Sequence, residues 1–76
     1  MERHPNLVKL GQQIRALRTA AGYSQESFAH SIGMARAYFG SVERGERNIA
    51  ALNLIRIAMA LNIEVGELFP EVDQLS

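Results

Sequence analysis

Apolar residues return every three or four positions along almost the whole chain, the period of a helix rather than a strand. Leu7, Leu10, Ile14, Leu17 and Ala21 form one such series and predict an amphipathic first helix. Asn6, after Pro5, is the expected N-cap, and Gly22 ends the helix as a C′ glycine does. Ser24 caps a short second helix, with Glu26 and Ser27 in its first turn. Phe28, Ala29 and Ile32 make its apolar face, and Gly33 breaks it. A third helix is expected from about Ala35 to Arg44, stopped by Gly45. At 100° per residue, Ala35, Phe39, Val42 and Glu43 share one face, with Ala37, Gly40, Ser41 and Arg44 opposite. A fourth helix covers about Ala51 to Leu61, and a last turn at Val65 to Phe69 is ended by Pro70. No alternating run of β-branched residues predicts a strand.

Two short helices joined by a tight turn at Gly33, the second with a small-residue polar face, describe a helix-turn-helix. The expected fold is all-α, a compact bundle of five short helices. An N-terminal segment spans residues 1–6, the helical domain 7–69 and a loose acidic tail 70–76. At 76 residues, only one small core is available. With no cysteine, disulfides, thiolate metal sites and thiol catalysis are excluded, which suits a reducing cytoplasm. Stability must then come from tight helical packing, helped by dimerisation. No 18-residue apolar run predicts a membrane span, and the N-terminus has no signal-peptide character.

Net charge is zero but unevenly placed. Residues 1–56 hold eight Arg and Lys against four Glu, a net +4, while residues 57–76 hold four acids and no base, a net −4. Such a division suits a chain with one face turned to an anion.

The run LRTAAGYSQESFAHSIGMARAYFGSVERGERN, followed by LNLIRIAMALNIEVGELF, resembles the Cro/C1-type, phage-repressor-like helix-turn-helix family. The likeness covers about residues 7–69. It rests on the combination of Leu-Arg before Gly22, Ser24-Gln25, Gly33, Glu43-Arg44-Gly45, Ile57-Ala58, Leu61 and Leu68. Within that family the chain is most similar to the controller proteins of restriction–modification systems. The resemblance implies a lambda-repressor-like DNA-binding domain that regulates transcription as a homodimer on a palindromic operator. It implies an inward Glu43 paired with Arg18. The helical wheel independently puts Glu43 beside Phe39, where a carboxylate needs a bidentate partner.

The same resemblance implies that Gln25 contacts a backbone phosphate and that Arg36, Ala37 and Ser41 read bases. Arg36 has the bidentate chemistry for guanine, and Ala37 offers only a methyl, which suits thymine. Arg44 and Asn48 match positions that reach phosphates, with Arg47 beside them. Tyr38 lies between the faces. It either stacks on the second helix with its hydroxyl at a phosphate, or is a half-buried packing residue. Three positions depart from the family pattern: Ala35 where a polar N-cap is usual, Gly40 in mid-helix, and Gly66 in the last turn. The wheel leaves open whether Gly40 admits close approach to DNA or is incidental.

The fourth helix is apolar nearly all round. Leu54, Ile57, Ala58 and Leu61 are assigned to the core with Leu17, Phe28 and Phe39. Leu52, Ile55 and Met59 form a second stripe. With Ile63, Val65 and Phe69, they are the expected dimer interface. His4 and His30 are too few for a zinc site, and no nucleophile–base spacing or Gly-rich phosphate loop points to an enzyme. No cofactor, metal or small-molecule ligand is expected. Activation of transcription would need a further contact with RNA polymerase. One rival is an antitoxin-type module whose apolar stripe caps a protein partner while its helix-turn-helix still binds DNA. Near-zero net charge argues against a second rival, a non-specific nucleic-acid binder.

Overall fold

The computed structural model describes residues 3–76. Four α-helices occur in order: α1 (Pro5–Ala20), α2 (Gln25–Ser31), α3 (Arg36–Glu43) and α4 (Ala51–Leu61). Two 3-10 turns follow at Val65–Leu68 and Val72–Gln74. No strand occurs among the described residues.

Helix α1 starts two residues before the expected Leu7. His4, not Asn6, is its N-cap: the imidazole Nδ1 accepts the Asn6 N–H at 3.0 Å, and Pro5 takes the first helical position. Proline is well placed there, because that position has no intrahelical partner for an N–H. At the other end, Tyr23 N–H bonds Arg18 O at 3.2 Å and Gly22 N–H bonds Thr19 O at 3.0 Å, closing a Schellman motif. Helix α2 opens on reciprocal bonds between Ser24 and Ser27. It closes with Met34 N–H on Ala29 O at 2.9 Å. The reversal into α3 passes through Gly33 at φ +65°, a conformation that most side chains resist. Ala35 stands at the N-cap of α3 with no side-chain cap bond, so the polar cap missing from the sequence is not replaced by a neighbour.

Ile14, Phe28, Phe39, Ile57 and Leu68 are fully buried and gather residues from every α-helix and the first 3-10 turn. Phe28 and Phe39 meet with ring centroids 5.3 Å apart, and Tyr23 packs edge-on against Phe28 at 5.2 Å. Each such side chain stabilises the fold by roughly 1.5–3 kcal/mol relative to exposure. Both α1 and α2 pack on α3, and the Val65–Leu68 turn packs on α4 and α1. Leu54, Ile57 and Ala58 are buried as the expected core stripe of α4, with Leu17 and Leu61 partly buried against it.

Three expectations about exposure change. Ala35 precedes the helix and is exposed. Ser41 is buried because α3 is covered from two sides, and Gly40, on its outward side, is buried by the side-chain ends of Gln25 and Arg44. Residues 70–76 are not simply a loose tail. They include the second 3-10 turn, Ser76 N–H donates to Asn6 Oδ1 at 2.8 Å, and Lys9 Nζ bonds Gln74 O. Among the described residues no helix is long and apolar enough to cross a membrane.

Candidate nucleic-acid interface

The crossing of α1 over the end of α3 sets the site. At Gly11, an added Cβ would lie 2.4 Å from Glu43 O and 2.5 Å from Val42 O, so only glycine lets the two backbones approach this closely. Gly45 completes the crossing. Its φ is +77°, and a Cβ there would fall 2.6 Å from Val8 Cα. This proximity brings the last turn of α1 to the carboxylate that ends α3. Arg18 Nε donates to Glu43 Oε2 at 2.7 Å and Nη2 to Oε1 at 3.1 Å, the bidentate geometry guanidinium and carboxylate favour. Arg18 Nη1 also donates to Tyr23 O at 2.8 Å, tying in the chain just before α2. The two side chains are 9% and 3% exposed. Gln25, the first residue of α2, donates Nε2 to Glu43 Oε1 at 2.9 Å. Three helices thus each contribute one side chain to a single polar knot. No buried side-chain N or O atom among the described residues lacks a partner.

Outside this knot, Arg36, Ala37 and Arg44 are exposed. With Gly40 they fall within about 100° of the α3 circumference, so one outward arc carries them. Arg47 and Asn48 are exposed in the loop that follows. Ser41 is not on this arc. It is 7% exposed, and its hydroxyl donates to Tyr38 O at 2.6 Å, a bond serine makes to its own helix. Gln25 is half-buried and turned toward Glu43. Tyr38 is half-buried and packs against the core. Its hydroxyl accepts from Asn53 Nδ2 of α4 at 3.5 Å, and the Arg47 guanidinium sits 5.9 Å above its ring centroid.

Several contacts had no signal in the sequence. Glu46 accepts from Arg3 Nη2 at 2.7 Å and faces Arg44 Nη2 at 3.1 Å. Arg44 first, and Arg3 after it, hold the Glu46 carboxyl below the usual carboxylate range. This contribution to stability is present above the unfolded pKa and is lost as pH falls through the lowered folded one. Arg56 donates Nη2 to Ile32 O and Nη1 to Asn53 Oδ1 at 3.3 Å, closing the end of α2 from α4. The second apolar stripe of α4 is open: Leu52 is 74% exposed and Met59 73%, with Ile55 beside them. Val65 and Phe69 are also exposed, and Ile63 is half-buried.

A helix-turn-helix family model, HTH_3, matches residues 14–68, from the middle of α1 to the end of the first 3-10 turn. The chain belongs to this helix-turn-helix family. Control protein C.MunI of Mycoplasma sp is 37% identical over 68 residues, covering 88% of this chain and 92% of that protein. Control protein C.SmaI of Serratia marcescens is 44% identical over 59 residues, covering 78% and 70%. The crystal structure of the restriction-modification controller protein C.AhdI from Aeromonas hydrophila superposes with a TM-score of 0.80 at 54% identity, covering 83% of this chain and 96% of that one. SinR, a master regulator for biofilm formation solved in complex with DNA, gives a TM-score of 0.74 at 32% identity, covering 78% and 95%. The likeness to Cro/C1-type proteins, and within them to restriction–modification controllers, holds across sequence and fold.

Proposed function

We propose that this chain is a sequence-specific DNA-binding transcriptional regulator, acting as a homodimer on a palindromic operator in the manner of restriction–modification controllers. One observation carries the reading. The outward arc of α3 presents Arg36 and Ala37 with Arg44 at its end, while the buried Arg18–Glu43–Gln25 knot fixes α3 against α1 and α2. The named control proteins among its relatives, and the SinR–DNA complex in the same fold, support it.

In this reading α3 enters the major groove. Arg36 donates two bonds to guanine O6 and N7, and the Ala37 methyl packs on a thymine methyl. Arg44, Arg47 and Asn48 hold the register on phosphates. Base reading rests on Arg36 and Ala37 rather than Ser41, whose hydroxyl is already engaged within its helix. The Leu52, Ile55 and Met59 stripe pairs with its two-fold copy, which sets two recognition helices about one DNA turn apart. Such a regulator works in the bacterial cytoplasm. Repression follows from covering a promoter, and activation adds a contact with RNA polymerase.

The test is selection of bound sites from a random duplex library at moderate salt. An enriched two-fold palindrome with half-sites about ten base pairs apart is expected. Retention that depends on salt without sequence enrichment would count against the reading, and would turn attention to a protein partner at the α4 stripe.

A further inference from the structure

Gly40 stands in the middle of α3 with ordinary helical backbone, since the positive-φ glycines among the described residues are Gly22, Gly33 and Gly45. Glycine in a helix interior is less favourable than alanine. Something other than backbone conformation must account for it. A Cβ at this position would meet Arg44 Nη1 at 3.2 Å, Gln25 Oε1 at 3.2 Å and Gln25 Cδ at 3.6 Å. Two polar side chains from different elements therefore converge over the bare Cα, on the same arc as Arg36 and Ala37.

Each of the two is anchored from behind by a carboxylate. Gln25 Nε2 donates to Glu43 Oε1 at 2.9 Å, which fixes the amide orientation, because only its NH2 end can donate to a carboxylate. A primary amide has a second N–H, and that one is left for an outside acceptor. Arg44 is held by Glu46 Oε1, 3.1 Å from Nη2, while Nη1 reaches over Gly40. The Gln25 amide, with Oε1 over Gly40 and one N–H still to be used, stands beside the Arg44 cation, and the two groups together suit a phosphate oxygen.

We infer that Gly40 is a positioning residue, whose missing side chain makes the seat over which Gln25 and Arg44 form one clamp for a DNA backbone phosphate. This rests on the DNA-binding reading above. It also joins the buried Arg18–Glu43 pair to the DNA face, since Glu43 orients one half of the clamp. The residue acts through Gln25 and Arg44, so its removal weakens every sequence alike and leaves base preference unchanged.

The test measures duplex affinity against salt for the wild type, Gly40→Ala, the Gln25→Ala/Arg44→Ala pair, and the triple variant, with a thermal melt of each. Gly40→Ala is expected to melt close to the wild type, because alanine's higher helix propensity offsets what is lost when the methyl shifts the Gln25 and Arg44 ends by a few tenths of an ångström. It should bind operator and random duplex roughly fivefold more weakly, a fraction of the loss from removing both charge-assisted contacts. Its salt slope should flatten by up to about one. In the background lacking Gln25 and Arg44, the same substitution should cost nothing further. Unchanged affinity for Gly40→Ala overturns the inference alone. Equal losses in both backgrounds overturn it too, since the methyl then meets the DNA directly. A collapsed fold does the same. A wild type that binds no duplex removes the DNA-binding reading, and the clamp with it.

Discussion

The seam between α1 and α3 and the outer side of α4 are built in opposite ways. At the seam, backbones approach to the limit that Gly11 allows, and Arg18, Glu43 and Gln25 interlock through directional bonds. Little can slide there without leaving a buried charge unpaired. Helix α4 is apolar on two sides. Leu54, Ile57 and Ala58 are buried while Leu52 and Met59 stand open. Apolar contact is non-directional and scales with area, so this surface suits the pairing with a second copy proposed above, which would need no polar bond to fix each contact. A recognition helix must be held at one angle, and directional bonds hold it. An assembly surface must come together and part, and apolar area serves that purpose.

The sharpest break in this contrast comes at the seam's charge. Glu43→Ala leaves the Arg18 guanidinium buried with only the Tyr23 carbonyl for company. A loss of about 3–5 kcal/mol is expected, read by denaturant unfolding. An unchanged midpoint would show that the knot does not hold the helices together. Gly11→Ala should follow at about 2–3 kcal/mol, because the methyl strikes the carbonyls of Val42 and Glu43, which move only with the whole helix. If Gly11→Ala melts with the wild type, the crossing is looser than its geometry.

The helices were legible because their apolar period is regular and Ser24, Gly22, Gly33 and Gly45 punctuate it with ordinary cap chemistry. The start of α1 is ambiguous in the sequence because His4, Pro5 and Asn6 all suit a helix start, and only the imidazole bond decides among them. Glu43 was legible because it falls among apolar residues on its wheel and has a matching arginine. The burial of Ser41 was not, because a wheel assumes one buried face and α3, two turns long, is packed by both α1 and α2. Gly40 keeps its outward place on the wheel and is covered by the side-chain ends of Gln25 and Arg44, which no local pattern announces. The Arg3–Glu46 and Arg56–Ile32 contacts join exposed, flexible side chains to distant positions, and such pairs leave no local pattern.

On the outward arc the side chains serve specificity rather than stability. Arg36→Ala should leave the melt within about 0.5 kcal/mol, since Arg36 is exposed. It should cost about 1–3 kcal/mol of discrimination at one base pair per half-site. Competition between the selected operator and its single-base variants measures this. Equal losses on operator and random duplex would assign Arg36 to phosphate contact instead.

The smallest effect on the folded chain is expected at the outer face of α4, where it separates the two designs most cleanly. Met59 is 73% exposed, so Met59→Glu removes almost no packing within one chain and leaves its carboxylate hydrated. In dilute solution the variant should unfold within about 0.5 kcal/mol of the wild type. At higher concentration the two should part. Dimerisation stabilises by mass action, so the wild-type melt rises with concentration while that of Met59→Glu stays flat. Sedimentation should then find the variant monomeric, with operator affinity reduced and random-duplex affinity kept, since a single recognition helix loses its partner half-site. A variant that still sediments as a dimer would move the interface away from the Leu52, Ile55 and Met59 stripe and leave that open apolar surface for a different protein.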